Sequence, residues 1–96
     1  MSVYVVGRVT ISDPSWVEGY IPNVQALVES HGGRYLVRST EFDVVEEHGA
    51  PPSVVVVIEF PTKEAAGAFY ASAEYQPWIE ARKAGYETEL ILVDGL

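Results

Sequence analysis

The sequence contains no cysteine, only two histidines and only six basic residues among its 96. Without cysteine the chain has no disulfide framework, no thiol catalysis and no cysteine-ligated zinc or iron–sulfur centre, and with two histidines we expect no histidine-rich metal site. Fourteen acidic residues give a formal charge of -8. Because nucleic acids and anionic membranes are bound by clustered Lys and Arg, we expect neither as a partner.

Long apolar segments are missing as well. Residues 54–58 form the longest strongly apolar run, which is far too short to cross a bilayer, and the amino-terminal residues lack the basic and apolar regions of a signal peptide. We therefore expect a cytoplasmic protein that stays out of membranes. With 48% apolar residues, the chain has the composition of one folded domain over residues 1–96, and small domains without disulfides often gain stability from a partner subunit.

Four strands are predicted from runs of alternating or continuous apolar residues. Their ranges are residues 3–11, 34–38, 53–60 and 89–93. The second strand is expected to continue through Phe42 and Val44, after an irregularity at Ser39 and Thr40.

Helix signals separate the strands. Asp13 is a predicted N-cap, Pro22 should kink or restart the helix that follows, and Gly32 should end it. Thr62 is predicted to cap a second helix, and Pro77 to begin a separate short one. The resulting order, strand–helix–strand–strand–helix–strand, predicts an α+β protein with the ferredoxin-like split βαβ fold (βαββαβ) and a four-stranded antiparallel sheet.

Both faces of the predicted sheet carry apolar residues. The third strand places residues 54, 56, 58 and 60 on one face and Val55 and Val57 on the other, and the first strand adds Tyr4 and Val6 to its second face. In this fold both helices cover the same face, so a second copy is the simplest cover for the other. We expect a homodimer in which the two sheets pack face to face into an α+β barrel.

Charged residues within the strands are the first candidate site. Arg8, Arg34 and Arg38 lie on predicted strands of a protein with few positive charges. Glu59 lies in the apolar third strand. If Arg38 shares a face with Arg8, an Arg–Glu cluster forms beside Tyr4, whereas a bulge at Ser39–Thr40 would turn Arg38 to the other face. Such a cluster is either a salt bridge that stabilises the dimer or an anchor that binds an anionic ligand through the planar fork of arginine.

Aromatic residues around the second helix are the next candidates. Tyr70, Tyr75 and Trp78 either belong to the core or form the apolar wall of a small-molecule pocket. Tyr4 is a further candidate ligand-binding residue for that wall. His31 lies at the predicted end of the first helix, where an imidazolium caps the helix dipole, and it is also a candidate ligand-binding residue. His48 lies in an acidic loop and indicates no site. The sequence has no nucleotide-binding, hydrolase or metalloprotease motif.

Three blocks of sequence resemble one known family. Residues 32–38 (GGRYLVR), residues 57–61 (VIEFP) and the region 68–82, which begins AFY and ends with Arg82, are similar to the uncharacterised bacterial proteins grouped as domain of unknown function 1330. The resemblance spans nearly the whole chain and implies a dimeric α+β barrel. Proteins with that barrel include cofactor-free antibiotic-synthesis monooxygenases, muconolactone isomerases and haem-binding enzymes, so the resemblance implies a fold and not one function.

Our leading hypothesis is a homodimer that binds or transforms a small polar or anionic organic molecule in a pocket near the sheet. Arg38 and Glu59 are the candidate catalytic residues, and Arg8 is a second ligand anchor. The sequence has no cofactor motif, so a reaction would be proton transfer or cofactor-free oxygen chemistry; haem would need His31 or His48 as its axial ligand. The alternative is a non-enzymatic interaction module whose Arg and Glu residues only stabilise the dimer. Whether the protein is an enzyme stays open at this point.

Overall fold

The computed structural model of the protein describes residues 2–11, 15, 17–46, 49 and 51–96, with residues 84–87 described by their backbone. The elements, in chain order, are β1 (Val3–Ile11), α1 (Val17–Ser30), β2 (Arg34–Ser39), β3 (Val54–Phe60), α2 (Lys63–Ala71), α3 (Gln76–Gly85) and β4 (Tyr86–Asp94). The strands form one sheet in the order β2-β3-β1-β4, and each neighbouring pair is antiparallel. This order confirms the predicted α+β architecture with ferredoxin-like topology.

Alternation along β3 determines which residues meet the helices. Ile58 and Phe60 are buried, together with Val3 of β1, which pairs with Phe60. Val24 of α1 and Phe69 of α2 belong to the same buried cluster. These contacts define a helix-side face of the sheet. Because successive side chains of a strand point to opposite faces, every second residue of β3 counted from Ile58 lies on this helix-side face, together with its cross-strand partners.

The opposite face of the sheet, here called the open face, is covered by none of the described helices. It presents apolar side chains to solvent: Val37, Ile91 and Val93 are each at least 40% exposed. Charged side chains lie among them, and Arg8 pairs across the strands with Glu89. The prediction that both faces of the sheet carry apolar residues is therefore confirmed.

Helix α1 continues without interruption past Pro22, so of the two expected effects, a kink or a restart, the restart is wrong. Pro22 lies in the second described turn, where a proline removes only one backbone hydrogen bond near an exposed helix start. The Asn23 side chain donates a hydrogen bond to the carbonyl of Gly19 at 2.8 Å in this turn. The predicted cap, Asp13, lies outside the described residues.

The carboxyl end of α1 is a Schellman motif, as the paired glycines predict. The Gly33 amide donates to the carbonyl of Val28 at 2.9 Å, and the Gly32 amide donates to the carbonyl of Glu29 at 3.0 Å. Gly32 has a φ of 80°, a conformation that only glycine adopts without steric cost. The chain therefore turns directly from α1 into β2.

Strand β2 contains a β-bulge that decides the direction of Arg38. The register with β3 shifts between Tyr35 and Val37, so Leu36 is the extra residue. Because one inserted residue reverses the facing of all residues that follow, Arg38 lies on the same helix-side face as Tyr35. The expected irregularity exists, but it lies before Arg38 and not at Ser39–Thr40.

The end of β2 corrects a second expectation. The strand ends at Ser39, and Phe42 and Val44 lie in an exposed loop, so the predicted continuation is wrong. The Ser39 hydroxyl accepts a hydrogen bond from the Glu41 amide at 3.0 Å and donates one to the Glu41 carbonyl at 2.8 Å. Such local side-chain bonds compete with the strand ladder, and here they turn the chain away from the sheet.

Helices α2 and α3 follow their capping signals. The Thr62 hydroxyl accepts a hydrogen bond from the Ala65 amide at 3.0 Å, as an N-cap residue should. Helix α3 begins at Gln76, one residue before the predicted Pro77, and it leads at Gly85 directly into β4, which is longer than the predicted 89–93. No helix among the described residues is long and apolar enough to cross a membrane.

Candidate functional site

A cavity of about 400 Å3 lies between the helix-side face of the sheet and the helices. All four strands and all three helices contribute to its walls, and most of its lining is apolar, as with Val5, Val56 and Leu90. Its volume lies in the range of small-molecule sites, about 300–1,000 Å3. The polar part of the lining consists of Arg38 with the adjacent Ser39 and Thr40, and of a hydrogen-bonded group around Tyr75.

Arg38 reaches this cavity from the β2 side. Its Cζ atom lies 4.8 Å from the ring centroid of Tyr35, and its Nη1 donates a hydrogen bond to the Gln25 side-chain oxygen at 3.1 Å. Both contacts orient the guanidinium without neutralising it, because an aromatic face and an amide carry no net charge. None of the described residues that line the cavity is acidic. The positive charge of Arg38 is therefore available to an anionic ligand.

The second polar feature is a chain of three side chains. Tyr20 of α1 and Tyr75, in the turn before α3, share a hydrogen bond with their hydroxyl oxygens 2.5 Å apart. Arg82 of α3, which is only 5% exposed, donates from Nη1 to the Tyr75 hydroxyl at 3.3 Å. Phe69 stacks on Tyr75 with 4.5 Å between ring centroids. Packing and hydrogen bonding together fix the position of the Tyr75 hydroxyl.

Burial keeps the tyrosines of this cavity in the neutral form. It raises the pKa of Tyr35 to about 12, and it raises the pKa of Tyr20 further, with the neighbouring Tyr75 acting in the same direction. The pKa of Tyr75 is also raised, chiefly by burial, although Arg82 acts against that shift. At neutral pH these phenols are therefore hydrogen-bonding groups and not phenolate bases.

The groups around the cavity can hold the acidic end and the apolar body of one small molecule. A guanidinium binds a carboxylate through two parallel hydrogen bonds, and fixed hydroxyl donors can stabilise charge that develops on a bound ligand. Among the residues that the structure describes, no group of three His, Cys, Asp or Glu side chains is placed to hold a metal ion.

The cluster of Arg8, Arg38 and Glu59, which was expected only if Arg38 shared a face with Arg8, does not form. Arg8 and Glu59 lie on the open face, whereas Arg38 faces the helices because the bulge at Leu36 reverses its direction. Arg38 and Glu59 of one chain therefore cannot act together on one ligand in this cavity. The individual roles of these residues in binding or catalysis stay predictions.

Glu59 instead forms a small network on the open face. The Arg34 Nε donates to its Oε1 at 2.7 Å, and the Tyr4 hydroxyl donates to its Oε2 at 3.3 Å. The hydrogen bond from Arg34 holds the pKa of Glu59 below its usual value, so this carboxylate is charged at neutral pH. The arginine that pairs with Glu59 is thus Arg34, and not Arg8 or Arg38.

The other predicted residues divide between the cavity and its surroundings. Tyr70 and Tyr75 line the cavity. Trp78 packs edge-on against a tyrosine of α1, with 6.2 Å between ring centroids, and lies behind the wall. His31 has its Nδ1 2.9 Å from a backbone carbonyl oxygen one turn earlier in α1, which is the helix-end position expected of a capping residue. His48 lies outside the described residues.

Three cavity residues were not among the predicted site residues: Tyr20, Tyr35 and Arg82. The sequence does indicate Arg82, because Tyr75, Ile79 and Arg82 have the i, i+4, i+7 spacing of one helix face. All three residues are buried in the structure. An arginine within a buried helical stripe indicates a polar site beneath that helix. Tyr20 lies on the inward stripe of α1, where an aromatic residue is also typical of core. Tyr35 could be assigned to the cavity only after the strand register was known.

Solved structures share this architecture. RPA0582, a protein of unknown function from Rhodopseudomonas palustris, aligns with a TM-score of 0.81 at 16% identity, covering 99% of this chain and 82% of that one. SnoaB, a cofactor-independent oxygenase from Streptomyces nogalater, gives 0.70 at 19% identity, covering 99% and 93%. A candidate antibiotic biosynthesis monooxygenase from Nitrosomonas europaea gives 0.65 at 18% identity, covering 99% and 89%. At these identities the likeness establishes the fold alone.

The family of the chain follows from its sequence. No curated protein matches it. The family model described as a domain of unknown function, DUF1330, matches residues 2–96, which confirms the resemblance seen in the three sequence blocks. The chain therefore belongs to the DUF1330 family.

Proposed function

We propose that the protein binds a small organic acid in the helix-side cavity, with Arg38 holding the acidic group. The observation that carries this proposal is the setting of Arg38: Tyr35 and Gln25 orient it at an apolar cavity that has no acidic residue among its described lining. The planar fork of a guanidinium matches a carboxylate. Because its orientation is already set, less side-chain entropy is lost when the anion binds.

The remaining lining favours a ligand with an apolar, partly aromatic body. Phe69, Tyr70 and Tyr75 present ring surface to the cavity beside aliphatic side chains of the sheet. Aromatic rings prefer offset or edge-on contacts with other rings, and the hydroxyl pair of Tyr20 and Tyr75 offers one polar contact in an otherwise apolar wall. The ligand class is therefore an acid with an apolar body that fits about 400 Å3.

Mass spectrometry of the natively purified protein tests the proposal. We expect a co-purifying small molecule with an acidic group, which Arg38→Gln loses and Lys63→Gln retains. Lys63→Gln is the matched control, because it removes one positive charge from an exposed residue of α2 that does not line the cavity. Calorimetry with octanoate should show binding that weakens about tenfold in Arg38→Gln, as the loss of one charge-assisted hydrogen bond would cause. Equal retention and equal affinity in the two variants would refute the role of Arg38.

A catalytic form of the proposal is proton transfer or cofactor-free oxygen chemistry on the bound acid. It is supported by the fold shared with SnoaB, described as a cofactor-independent oxygenase, and by the Tyr75 hydroxyl, which is placed to stabilise charge developing on a ligand. Oxygen uptake and product formation from the recovered ligand, each slowed in Tyr75→Phe, would support it. A ligand that is bound and recovered unchanged under oxygen would favour the non-enzymatic alternative.

We further propose that a second copy of the chain covers the open face. The molecule measures 33 × 32 × 17 Å, so each broad face projects roughly 1,000 Å2, above the roughly 800 Å2 that each partner buries in a standard interface. Val57, Val6 and Ile91 form a continuous apolar row across three strands of this face. Arg8 and Glu59 flank the row, so two copies related by a two-fold axis can bring unlike charges together.

Sedimentation velocity at micromolar concentration tests the dimer. We expect the wild type to sediment as a dimer and Val57→Lys to sediment as a monomer, because the new charge lies in the centre of the open face. Val45→Lys is the matched control: Val45 is 93% exposed in the loop after β2, so the same substitution there should leave the dimer intact. A monodisperse wild-type monomer would refute this part of the proposal.

A further inference from the structure

A second, smaller cavity of about 190 Å3 lies between α3 and β4. Tyr70, Arg82 and Leu90 line both this cavity and the larger one, so the two adjoin. Lys83 and Thr88 line the smaller cavity alone. We call the smaller cavity, lined by these five residues, the side compartment.

The side compartment collects positive charge and one buried hydroxyl. Lys83 follows Arg82 in the last turn of α3, and none of the described lining residues is acidic. The Oγ1 atom of Thr88 is buried and has no hydrogen-bond partner among the residues that the structure describes. Because a buried hydroxyl without a partner is unfavourable, an oxygen atom of a bound anion would be a stabilising acceptor for it. Lys83 and Thr88 therefore border the same compartment from two elements, α3 and β4.

The side compartment lies at the far end of the larger cavity from Arg38. The sheet order places β2, which carries Arg38, and β4, which carries Thr88, at opposite edges. Three interstrand spacings of about 4.8 Å separate these edges, a distance of roughly 14 Å. The sheet lining between them consists of valines and isoleucines of β1 and β3, so an apolar wall separates the two cationic ends.

We propose that the side compartment binds the second acidic group of an elongated ligand whose first acidic group is held by Arg38. This inference rests on the proposed function and narrows the ligand class from organic acids to diacids with an apolar middle. The second acidic group is recognised by the Lys83 ammonium and the Thr88 hydroxyl, and Arg82 adds positive charge at the wall shared with the larger cavity.

Isothermal titration calorimetry with matched acids tests this inference. Hexanedioate, octanedioate and decanedioate are each compared with the monoacid of the same chain length at one ionic strength. We expect at least one diacid to bind the wild type about tenfold more tightly than its monoacid, because it gains one charge-assisted hydrogen bond. Lys83→Ala should bring that ratio close to one and leave the monoacid affinity unchanged. Lys63→Ala, which changes the only other lysine of the sequence, should alter neither affinity.

Thr88→Val gives a second readout, because it removes the hydroxyl and keeps the shape of the side chain. Loss of an unpartnered buried hydroxyl should leave the ligand-free protein at least as stable in urea unfolding, while the preference for the diacid falls severalfold. Opposite effects on stability and on diacid binding are not expected of a purely structural residue. A destabilised Thr88→Val protein with an unchanged diacid preference would overturn the assignment.

The outcomes separate this inference from the proposed function. If no diacid binds more tightly than its monoacid while Arg38→Gln weakens the binding of both, the side compartment is not an anion site and the proposed function survives. A diacid preference that persists in Lys83→Ala also overturns the inference. If neither class of acid binds, or if Arg38→Gln leaves binding unchanged, the proposed function fails and the inference fails with it.

Discussion

Replacing Tyr75 by phenylalanine removes one hydroxyl from the wall of the larger cavity. That hydroxyl lies 2.5 Å from the Tyr20 oxygen and accepts a hydrogen bond from Arg82 at 3.3 Å, in a residue that is 2% exposed. A neutral hydrogen bond contributes about 1 kcal/mol to stability, and one to a charged group about 1.5–3 kcal/mol. We therefore expect Tyr75→Phe to lower the free energy of unfolding by about 2.5–4 kcal/mol.

Urea unfolding followed by circular dichroism measures this loss. The variants are compared at one protein concentration, since the stability of the proposed dimer would depend on concentration. The midpoint of Tyr75→Phe should fall while the slope m stays unchanged. Tyr70→Phe is the matched control: Tyr70 lines the same cavity but is 43% exposed, so its free energy of unfolding should stay within about 0.5 kcal/mol of the wild type.

The double variant Tyr20→Phe/Tyr75→Phe separates hydrogen bonding from packing. Each single variant leaves the hydroxyl of the other tyrosine without its partner. The double variant removes both hydroxyls, so it should lose less stability than the two single variants lose in total. We expect a coupling energy of about 1 kcal/mol. Strict additivity, or a Tyr75→Phe protein as stable as the wild type, would show that the hydroxyl pair does not stabilise the cavity wall, and the reasoning would be refuted.

Three further predictions concern packing and pH. Gly33→Ala should destabilise the protein by about 1–3 kcal/mol, because a Cβ there would lie 2.6 Å from a buried phenylalanine carbon of β3. Gly67 of α2 has open space where a Cβ would lie, so Gly67→Ala should raise stability by up to about 1 kcal/mol. Thermal unfolding measures both changes. Arg34 holds the pKa of Glu59 below its ordinary value of 4.5, so Glu59→Gln should be less stable than the wild type above pH 4.5. Acid unfolding should show this difference in stability vanishing as the pH falls through the pKa of Glu59. Burial raises the pKa of Tyr35 from 10.0 to about 12, so the stability that the neutral phenol contributes is complete below pH 10 and is lost as the pH rises to 12. In alkaline unfolding, Tyr35→Phe should therefore lose less stability than the wild type between pH 10 and pH 12.

The elements that the sequence predicts well are those controlled by local physics. Strand β1 has its predicted bounds, 3–11, because a half-buried strand imposes an alternation that is visible in the residues themselves. Helix α1 ends at Gly32 and Gly33, and helix α2 is capped by Thr62. Both features depend on backbone requirements that few residue types satisfy. Local signals of this kind need no knowledge of the rest of the fold.

The candidate site was harder to predict because it depends on register and on contacts distant in sequence. Whether Arg38 joins Glu59 or the cavity is decided by one extra residue, Leu36, in a strand whose apolar residues do not mark the bulge. The pairing of Tyr20 with Tyr75 brings together residues 55 positions apart. No spacing rule connects them, so the polar group in the cavity wall could be recognised only in three dimensions.

The bulge at Leu36 also makes β2 sensitive to its own length. Insertion or deletion of one residue at the bulge leaves the pairs before it, such as Arg34 with Glu59, in register. The residues after the bulge would then point to the opposite face of the sheet. Deletion of a single codon would thus carry Arg38 from the cavity to the open face and leave the strand order unchanged. The proposed ligand site and the proposed subunit interface are therefore separated, for this one arginine, by a change of a single residue in β2.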